Sequence, residues 1–320
     1  LVVDAGAQAQ SAAATVHGFA TFRADVTVSG VIFNRVGSDR HARMLCDAAA
    51  PLGIPVLGCV PRSPDIAVPD RHLGLVQASE MAALEVFLDA AADLVARHID
   101  LAALKSILRG AGVTASDVLS LPIPPLGQRI AVASDDAFRF AYPHVLNGWR
   151  AAGAEIMPFS PLADQAPHQT CDAVYLPGGY PELQAAKLAA SGVFLQGLRD
   201  ASARDAAIYG ECGGYMVLGE ILTDADGQSY RMAGLLPLET SFARRKMHLG
   251  YRNAVLSADT PLGPAETVYG AHEFHYASTT RLGDARPLFT VSDAAGNDLG
   301  RAGLQAGSVF GSFIHLIDRR

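Results

Sequence analysis

The chain lacks several features that would assign it to a particular class of protein. No apolar run is long enough for a membrane-spanning helix, and no segment resembles a signal peptide. Cysteine is scarce, and the four residues show no metal-ligand spacing, which is typical of a protein in a reducing cytoplasm. They are Cys46, Cys59, Cys171 and Cys212. We therefore expect a cytoplasmic protein without a membrane partner.

Charged residues are also sparse. They make up 18% of the chain, and the net charge is −7, which argues against a nucleic-acid partner. Half of the 320 residues are hydrophobic, enough to form large cores. A chain of this length and composition predicts two domains.

The phosphate-binding motif G-x-x-x-x-G-K-[ST] is absent as well. Residues 1–97 nevertheless alternate short apolar segments with longer amphipathic ones, a pattern that predicts a parallel sheet flanked by helices. The predicted strands are 1–4, 28–34 and 54–60, and the predicted helices are 8–20, 38–51 and 79–97.

Residues 98–127 differ in character from what precedes and follows them. A short apolar helix at 101–108 is followed by Gly110, Gly112 and a proline-rich run at 122–125, which is typical of a stiff connector. We predict a first domain at 1–97, a linker at 98–127 and a second domain at 128–320, in which strands and helices alternate before a β-rich stretch at 229–310.

A candidate nucleophile lies in Gly210-Glu211-Cys212-Gly213-Gly214. An apolar strand precedes this segment and an apolar helix start follows it, so Cys212 is predicted to occupy a sharp strand-to-helix turn, the nucleophile elbow. Flanking glycines suit such a strained turn, and the helix N-terminus favours the thiolate. The alternative, a buried structural cysteine, is less consistent with this motif.

Two further segments can complete such a site. Gly178 and Gly179 follow the apolar strand 174–176, where their backbone N–H groups can turn toward a developing oxyanion. An ordinary strand–turn–helix connection is the alternative. His315 ends an apolar run near the C-terminus that we interpret as a parallel strand, which makes it the candidate base.

The motifs carry a resemblance to a known family. LPGGYPE, GECGGYMVLG and GSFIHL, in this order, resemble the class I glutamine amidotransferase domain. Other segments resemble the cobyrinic or hydrogenobyrinic acid a,c-diamide synthases and their nucleotide-binding domain. They are VVDAGAQAQSAAA at 2–14, GVIFNRVGSDRH at 30–41, VLGCVPR at 56–62, VPDRHLGLVQASE at 68–80, PFSPLAD at 158–164, LGYR at 249–252 and HEFHY at 272–276.

The resemblance implies an α/β fold: a partial P-loop-type parallel-sheet domain, then a doubly wound amidotransferase domain with an antiparallel appendage. It also implies a carbon–nitrogen ligase of cobalamin biosynthesis. Cys212 would hydrolyse L-glutamine, Gly178, Gly179 and Gly213 would form the oxyanion hole, and His315 would transfer protons. The ammonia would reach the other domain, where ATP and Mg²⁺ support amidation of the a and c carboxylates of a corrinoid polycarboxylate.

Binding roles follow from the same resemblance. In the first domain, Asn34 would read adenine, Arg62 would line the base pocket and Asp4 would hold Mg²⁺ through water. The alternatives are turn formation for Asn34, a surface ion pair for Arg62 and a cap for Asp4.

In the second domain, aromatic residues and histidines are candidates for contact with the corrinoid. They are Phe140, Tyr142, His272, His275 and Tyr276. A place in the core is the alternative for the aromatic stripe that also includes Phe138 and Trp149. A metal site is a weaker alternative for HEFHY, because its spacing is not H-E-x-x-H.

The chain departs from the family pattern at a few positions. Ile317 stands where class I amidotransferases place a glutamate that orients the histidine, so we expect a Cys–His dyad with Glu273 as a speculative third member. Gln10 replaces an expected basic residue. Because the first residue is Leu and the phosphate loop is missing, we expect an N-terminally truncated synthetase.

Other functions remain open from the sequence. A cobyric acid synthase-like amidase, a stand-alone thiol amidase and a non-catalytic amidotransferase-like scaffold are the alternatives. The sequence does not separate a cobalt-containing acceptor from a metal-free one, and a homodimer is one option for the oligomeric state.

Overall fold

The computed structural model describes residues 1–68, 78, 81, 83–108 and 123–320. The chain divides into two compact units, Leu1–Ser116 and Asp117–Arg320. The motif at 68–80 lies almost wholly outside the described residues, and the domain limits given above stay a prediction. Within the described ranges, no helix is both long and apolar enough to cross a membrane.

The first unit contains the predicted three-stranded parallel sheet, in the order β1-β2-β3. Val3 and Phe33 on the sheet pack against Val16 and Leu45 on the helices. The elements are β1 (Val2–Asp4), α1 (Ser11–Phe22), β2 (Val31–Val36), α2 (Asp39–Ala49), β3 (Val56–Pro61), α3 (Leu84–His98) and α4 (Leu101–Ile107).

The second unit begins with alternating strands and helices, as the sequence predicts, and continues almost entirely in strands. The first part comprises β4 (Arg129–Ala133), α5 (Pro143–Ala151), β5 (Glu155–Phe159), β6 (Ala173–Leu176), α6 (Ala185–Ala190), α7 (Gly192–Ala203), β7 (Ala207–Glu211) and α8 (Gly213–Leu218). The second part comprises β8 (Ile221–Thr223), β9 (Ser229–Arg231), β10 (Leu238–Ser241), β11 (His248–Leu256), β12 (Val268–His275), β13 (Ser278–Leu282), β14 (Phe289–Asp293), β15 (Asp298–Ala302), β16 (Leu304–Ala306), β17 (Val309–Ser312) and β18 (Ile314–Arg319).

A six-stranded sheet forms the centre of the second unit, in the order β16-β17-β7-β6-β4-β5. All neighbours are parallel except β16 and β17. The carboxyl ends of β6 and β7 therefore meet at one edge, where parallel sheets place their chemistry. An antiparallel five-stranded sheet, β15-β14-β11-β12-β18, and a four-stranded sheet, β13-β10-β8-β9, form the appendage.

The two faces of the central sheet are covered differently. Leu188 and Phe194, on α6 and α7, belong to the core on one face. On the other face the residues of the central sheet share a core with the five-stranded sheet, and Trp149 belongs to this second core. Phe138, in the first core, and Trp149 are both 1% exposed. Two of the four aromatic residues in the predicted stripe are thus core residues.

Three aromatic rings cross the central sheet in register. Tyr175 on β6 pairs with Tyr209 on β7, which pairs with Phe310 on β17. Their rings stack with centroid distances of 5.7 and 5.4 Å. This ladder fills the space beneath the antiparallel sheet and holds both tyrosine hydroxyls near the end of β7.

Candidate active site

Cys212 lies on a strained turn between β7 and α8. Its φ is +48°, a conformation that non-glycine residues rarely adopt and that is found in nucleophile elbows. Position 214, two residues after Cys212, requires glycine because a Cβ there would lie 1.9 Å from the Leu176 carbonyl oxygen. The local sequence therefore holds the thiol at the carboxyl edge of the central sheet.

His315 faces this thiol, but from a different sheet than the sequence suggested. The parallel strand β17 ends at Ser312, and His315 is the second residue of β18, where it pairs with His272 of antiparallel β12. The chain changes sheets at Phe313, so the histidine approaches the edge from the appendage. The expectation of a base at the end of a parallel strand was wrong in this respect.

The orienting partner of His315 is Glu211, the residue directly before the nucleophile. Its Oε1 lies 3.2 Å from Nδ1 of His315, and both side chains are 3% exposed. The other oxygen, Oε2, accepts hydrogen bonds from the Tyr209 hydroxyl at 3.1 Å and from the Leu316 amide at 3.2 Å. The Tyr175 hydroxyl is 3.4 Å from Oε1.

The role of Glu211 was not predicted from the sequence, although its position in the sequence indicates a buried carboxylate. A carboxylate at the end of an otherwise apolar, buried strand needs a partner. Tyr209 and Glu211, two residues apart on β7, share a face. The predicted stand-in, Glu273, instead contacts Arg252 at 2.8 Å and His275 at 3.0 Å, so it does not orient His315.

The charges at the site favour a protonated imidazole. Burial alone would lower the pKa of His315, but the neighbouring Cys212 and Glu211 raise that pKa to about 10. With Nδ1 on Glu211, Nε2 is left for the hydrogen bond to Cys212. The arrangement suits an imidazolium beside the sulfur, as in thiol nucleophiles that are paired with a histidine.

The oxyanion loop lies beside the thiol. The Phe140 amide donates to the Gly178 carbonyl at 2.9 Å, so the trans peptide turns the Gly179 N–H the opposite way. A Cβ at Gly213 would lie 3.0 Å from the Gly179 nitrogen, and one at Gly178 would lie 2.8 Å from Cε1 of His315. The glycines thus keep this space free of side chains.

The thiol itself is covered. Cys212 is 4% exposed, and its sulfur lies 3.9 Å from the carbonyl oxygen of Phe274 on β12. A substrate must displace part of this cover before its carbon can reach the sulfur.

Three of the five predicted corrinoid contacts surround the thiol and imidazole. The Tyr142 hydroxyl lies 2.8 Å from Nε2 of His272 and 3.3 Å from Nδ1 of His315. The His272 ring stacks on His315 at 4.7 Å, and burial together with His315 lowers the pKa of His272 to about 4. Phe140 packs edge-on against Tyr180 at 5.0 Å.

The other two predicted contacts do not join this group. The Nδ1 of His275 lies 3.0 Å from the Ala277 carbonyl and its Nε2 faces Glu273. The Tyr276 hydroxyl donates to the Met247 sulfur at 3.6 Å.

Comparison with known proteins decides which family the site belongs to. Residues 129–320 match the CobB/CobQ-like glutamine amidotransferase domain, and residues 4–76 match the CobQ/CobB/MinD/ParA nucleotide binding domain. A hydrogenobyrinate a,c-diamide synthase of Brucella abortus is 57% identical over 99% of this chain and 72% of its own length. The chain belongs to the hydrogenobyrinate a,c-diamide synthase family. The family resemblance stated above is thereby confirmed.

Other members of the family are similarly close. The synthase of Rhizobium meliloti is 54% identical over 99% of this chain and 73% of its own length, and that of Mesorhizobium japonicum is 50% identical over 100% and 72%. A solved structure of a glutamine amidotransferase aligns with 58% of this chain and with 89% of its own chain. The TM-score is 0.39 and the sequence identity is 15%.

In the nucleotide-binding unit, Asp4 is the last residue of β1, Asn34 pairs with it from within β2, and Arg62 directly follows β3. Asp4 Oδ1 accepts from the Gly6 amide at 2.9 Å, and Oδ2 pairs with Arg35 at 2.8 Å. These contacts hold the pKa of Asp4 below its usual value. The Asn34 side chain accepts from the Arg35 amide at 2.9 Å, and Arg62 reaches the Gly6 carbonyl at 3.5 Å.

Glu182 follows the oxyanion loop and is buried without a hydrogen bond to its side-chain oxygens from any described residue. Burial raises its pKa to about 7, because an ionised carboxylate is costly in an apolar environment. The native state therefore retains a proton that the unfolded chain loses near pH 4.5.

Glu182→Gln should increase stability at alkaline pH relative to acidic pH. The contribution of Glu182 to wild-type stability falls as pH rises from 4.5 to about 7 and then levels off, at a total cost of up to about 3 kcal/mol. Urea unfolding at pH 5 and pH 8.5 measures this, with the exposed Glu155→Gln as control. If Glu182→Gln and wild type differ equally at both pH values, the carboxyl is not neutral in the native state.

Proposed function

We propose that the chain catalyses glutamine-dependent amidation of the a and c side-chain carboxylates of hydrogenobyrinic acid in cobalamin biosynthesis. The observation that carries this proposal is the contact of Cys212, His315 and Glu211 beside the glycine loop. The names of the relatives supply the acceptor and favour the metal-free acid over cobyrinic acid.

The glutamine half-reaction follows from the geometry. The Cys212 thiolate attacks the side-chain amide carbon, and the N–H groups of Gly179 and Gly213 stabilise the oxyanion. Imidazolium at His315 then protonates the leaving ammonia, which leaves a thioester on Cys212. Water, deprotonated by the neutral ring, hydrolyses the thioester to glutamate and restores the pair.

The ligase half-reaction uses the ammonia. ATP supplies the phosphoryl group that activates the acceptor carboxylate, and ammonia then displaces phosphate to form the amide. In the first unit we assign adenine contact to Asn34 and base-pocket contact to Arg62. Asp4, a carboxylate at a parallel strand end, suits water-mediated Mg²⁺, although Arg35 occupies one of its oxygens.

The same proposal covers the location of the enzyme, its partners and its substrate contacts. We assign it to the cytoplasm, with L-glutamine, ATP and the corrinoid as its small-molecule partners, and with a homodimer as an expectation for its oligomeric state. Phe140, Tyr142 and His272 contact the thiol–imidazole group or its loop, so we assign them first to the glutamine site. His275 and Tyr276 keep their proposed corrinoid role.

An assay with hydrogenobyrinic acid and with cobyrinic acid tests which of the two is the acceptor. Hydrogenobyrinic acid should be amidated twice in the presence of ATP, Mg²⁺ and glutamine, and cobyrinic acid should react much more slowly. Mass spectrometry of the product counts the amidations. Because the chain spans 72% of the Brucella abortus relative, the assay also uses a version extended by the remaining residues of that relative.

The outcome separates the rival functions. Glutamine hydrolysis that is independent of ATP and acceptor, without any amide product from the extended version, would indicate a stand-alone thiol amidase. Amidation of other carboxylates would indicate a cobyric acid synthase-like enzyme. No alkylation of Cys212 by a glutamine-like chloroketone would indicate a non-catalytic scaffold.

A further inference from the structure

A second group of chemically active side chains lies on the opposite face of the strand that covers the thiol. Side chains alternate along β12, so His272 faces His315 while Glu273 and His275 face the other way. His248 on the neighbouring strand β11 pairs with His275 in the antiparallel register. The two histidines of HEFHY therefore serve different sites.

His248, Glu273 and His275 meet the geometric requirement for a shared ion. One potential ligand atom from each lies within 4.8 Å of the others. Ligands of a tetrahedral zinc ion, each at about 2.1 Å, are roughly 3.4 Å apart. Small side-chain rotations would therefore bring all three atoms into coordination, and the paired strands hold their backbones in place.

Both ring nitrogens of His275 face oxygen atoms that accept hydrogen bonds. Its Nδ1 lies 3.0 Å from the Ala277 carbonyl, which can only accept, so Nδ1 carries a proton. Its Nε2 lies 3.0 Å from Oε1 of Glu273, and an ionised carboxylate also only accepts. A cation between Nε2 and Oε1 resolves this, either a second proton or a metal ion.

The surroundings resemble the outer contacts of metal sites. A backbone carbonyl holds the distal ring nitrogen of His275, as is usual for ligating histidines. Arg252 fixes the other oxygen of Glu273, with Nε at 2.9 Å and Nη2 at 2.8 Å, and so aims Oε1 at His275. His248 stacks parallel to His275 at 4.5 Å, so one of the two rings must turn for both to direct a nitrogen at the same ion.

An open cavity gives access to the group. It has a volume of about 430 Å³, and Lys246 and Arg301 lie on its wall together with the three candidate ligands. Two imidazoles and one carboxylate leave a coordination position free toward this cavity. The two cationic side chains suit an anionic ligand, such as a carboxylate, at that position.

We propose that His248, Glu273 and His275 form a binding site for a divalent transition-metal ion, with Zn²⁺ as the probe and a free position that accepts a carboxylate oxygen or water. This site is separate from the thiol and imidazole because Glu273 and His275 lie on the face of β12 opposite to that of His272. It goes beyond the proposed amidation, and its test does not depend on that activity.

Equilibrium dialysis against zinc chloride tests the site in a Cys212→Ala chain, which removes the reactive thiol as a competing ligand. Metal analysis should find one tightly held Zn²⁺ per chain. His248→Gln should weaken this binding at least tenfold, and Glu273→Gln should do the same. His272→Gln is the matched control, a histidine on the other face of β12, and should leave zinc binding unchanged.

The design separates loss of a ligand from loss of the fold. Circular dichroism and Tm accompany each variant. His248→Gln is decisive because, among the described residues, Glu273 has ion-pair partners in Arg252 and His275 whereas His248 has none, so its replacement leaves no buried ion unpaired. Zn²⁺ should raise the Tm of the Cys212→Ala chain but not that of its His248→Gln derivative. No zinc uptake, or uptake that persists in folded His248→Gln, overturns the proposal.

Discussion

Replacing Cys212 by alanine should abolish glutamine-dependent amidation and leave ammonia-dependent amidation close to its original rate. The sulfur is the only group at the elbow that forms the thioester, so glutamine hydrolysis should fall by about 10⁴-fold or more. Ammonia supplied from solution bypasses that step. Rates with glutamine and with ammonium salt, measured on the extended chain, check the result.

Cys171→Ala provides the matched control. Cys171 is a buried cysteine of the same unit, 5% exposed, and burial raises the pKa of its thiol, so it should be unreactive. This variant should keep both activities and should still be alkylated at Cys212 by a glutamine-like chloroketone. Equal loss of the glutamine and ammonia reactions in Cys212→Ala would contradict the separation of the two half-reactions.

Glu211→Gln should slow glutamine hydrolysis by about 10² to 10⁴-fold, mainly in kcat. An amide cannot balance the charge of the imidazolium, and its NH₂ group can hold the ring of His315 in the wrong tautomer. The carboxylate contributes to the raised pKa of about 10, so its removal should lower the pKa of His315. The alkaline limit of activity should then move toward neutral pH.

A pH profile distinguishes this role from simple destabilisation. Loss of fold would reduce activity at every pH, whereas loss of orientation and charge shifts the profile. Glu239→Gln is a suitable control, because Glu239 pairs with Arg281 in the four-stranded sheet, whereas His315 lies in the five-stranded sheet. An unchanged kcat and an unchanged alkaline limit in Glu211→Gln would show that His315 does not depend on this carboxylate.

The sequence was sufficient for the parts of the site that are local. The strand, the glycines and the helix start around Cys212 specify the elbow within ten residues, and the glycine loop does the same near Gly179. Glu211 was missed because its role depends on His315, which is 104 residues away and reaches it by a change of sheet. Local spacing carries no information about such a contact.

The fold, like the site, was predictable from the sequence where its contacts are local. Alternating apolar strands and helices predict a parallel sheet because βαβ units close locally and with one hand. The antiparallel sheet of β11, β12, β14, β15 and β18 was predicted only as a β-rich stretch. Its order depends on pairings between distant segments, such as β12 with β18, that composition does not specify.

Strand β12 limits how this protein can change during evolution. It is hydrogen-bonded on both edges, to β11 and to β18, and its odd and even positions serve different chemistry. Inserting or deleting one codon ahead of His272 would turn every following side chain to the other face and place a carboxylate against the thiol. A single substitution in β12 therefore affects one of the two faces, whereas a change in the length of the segment would disturb both.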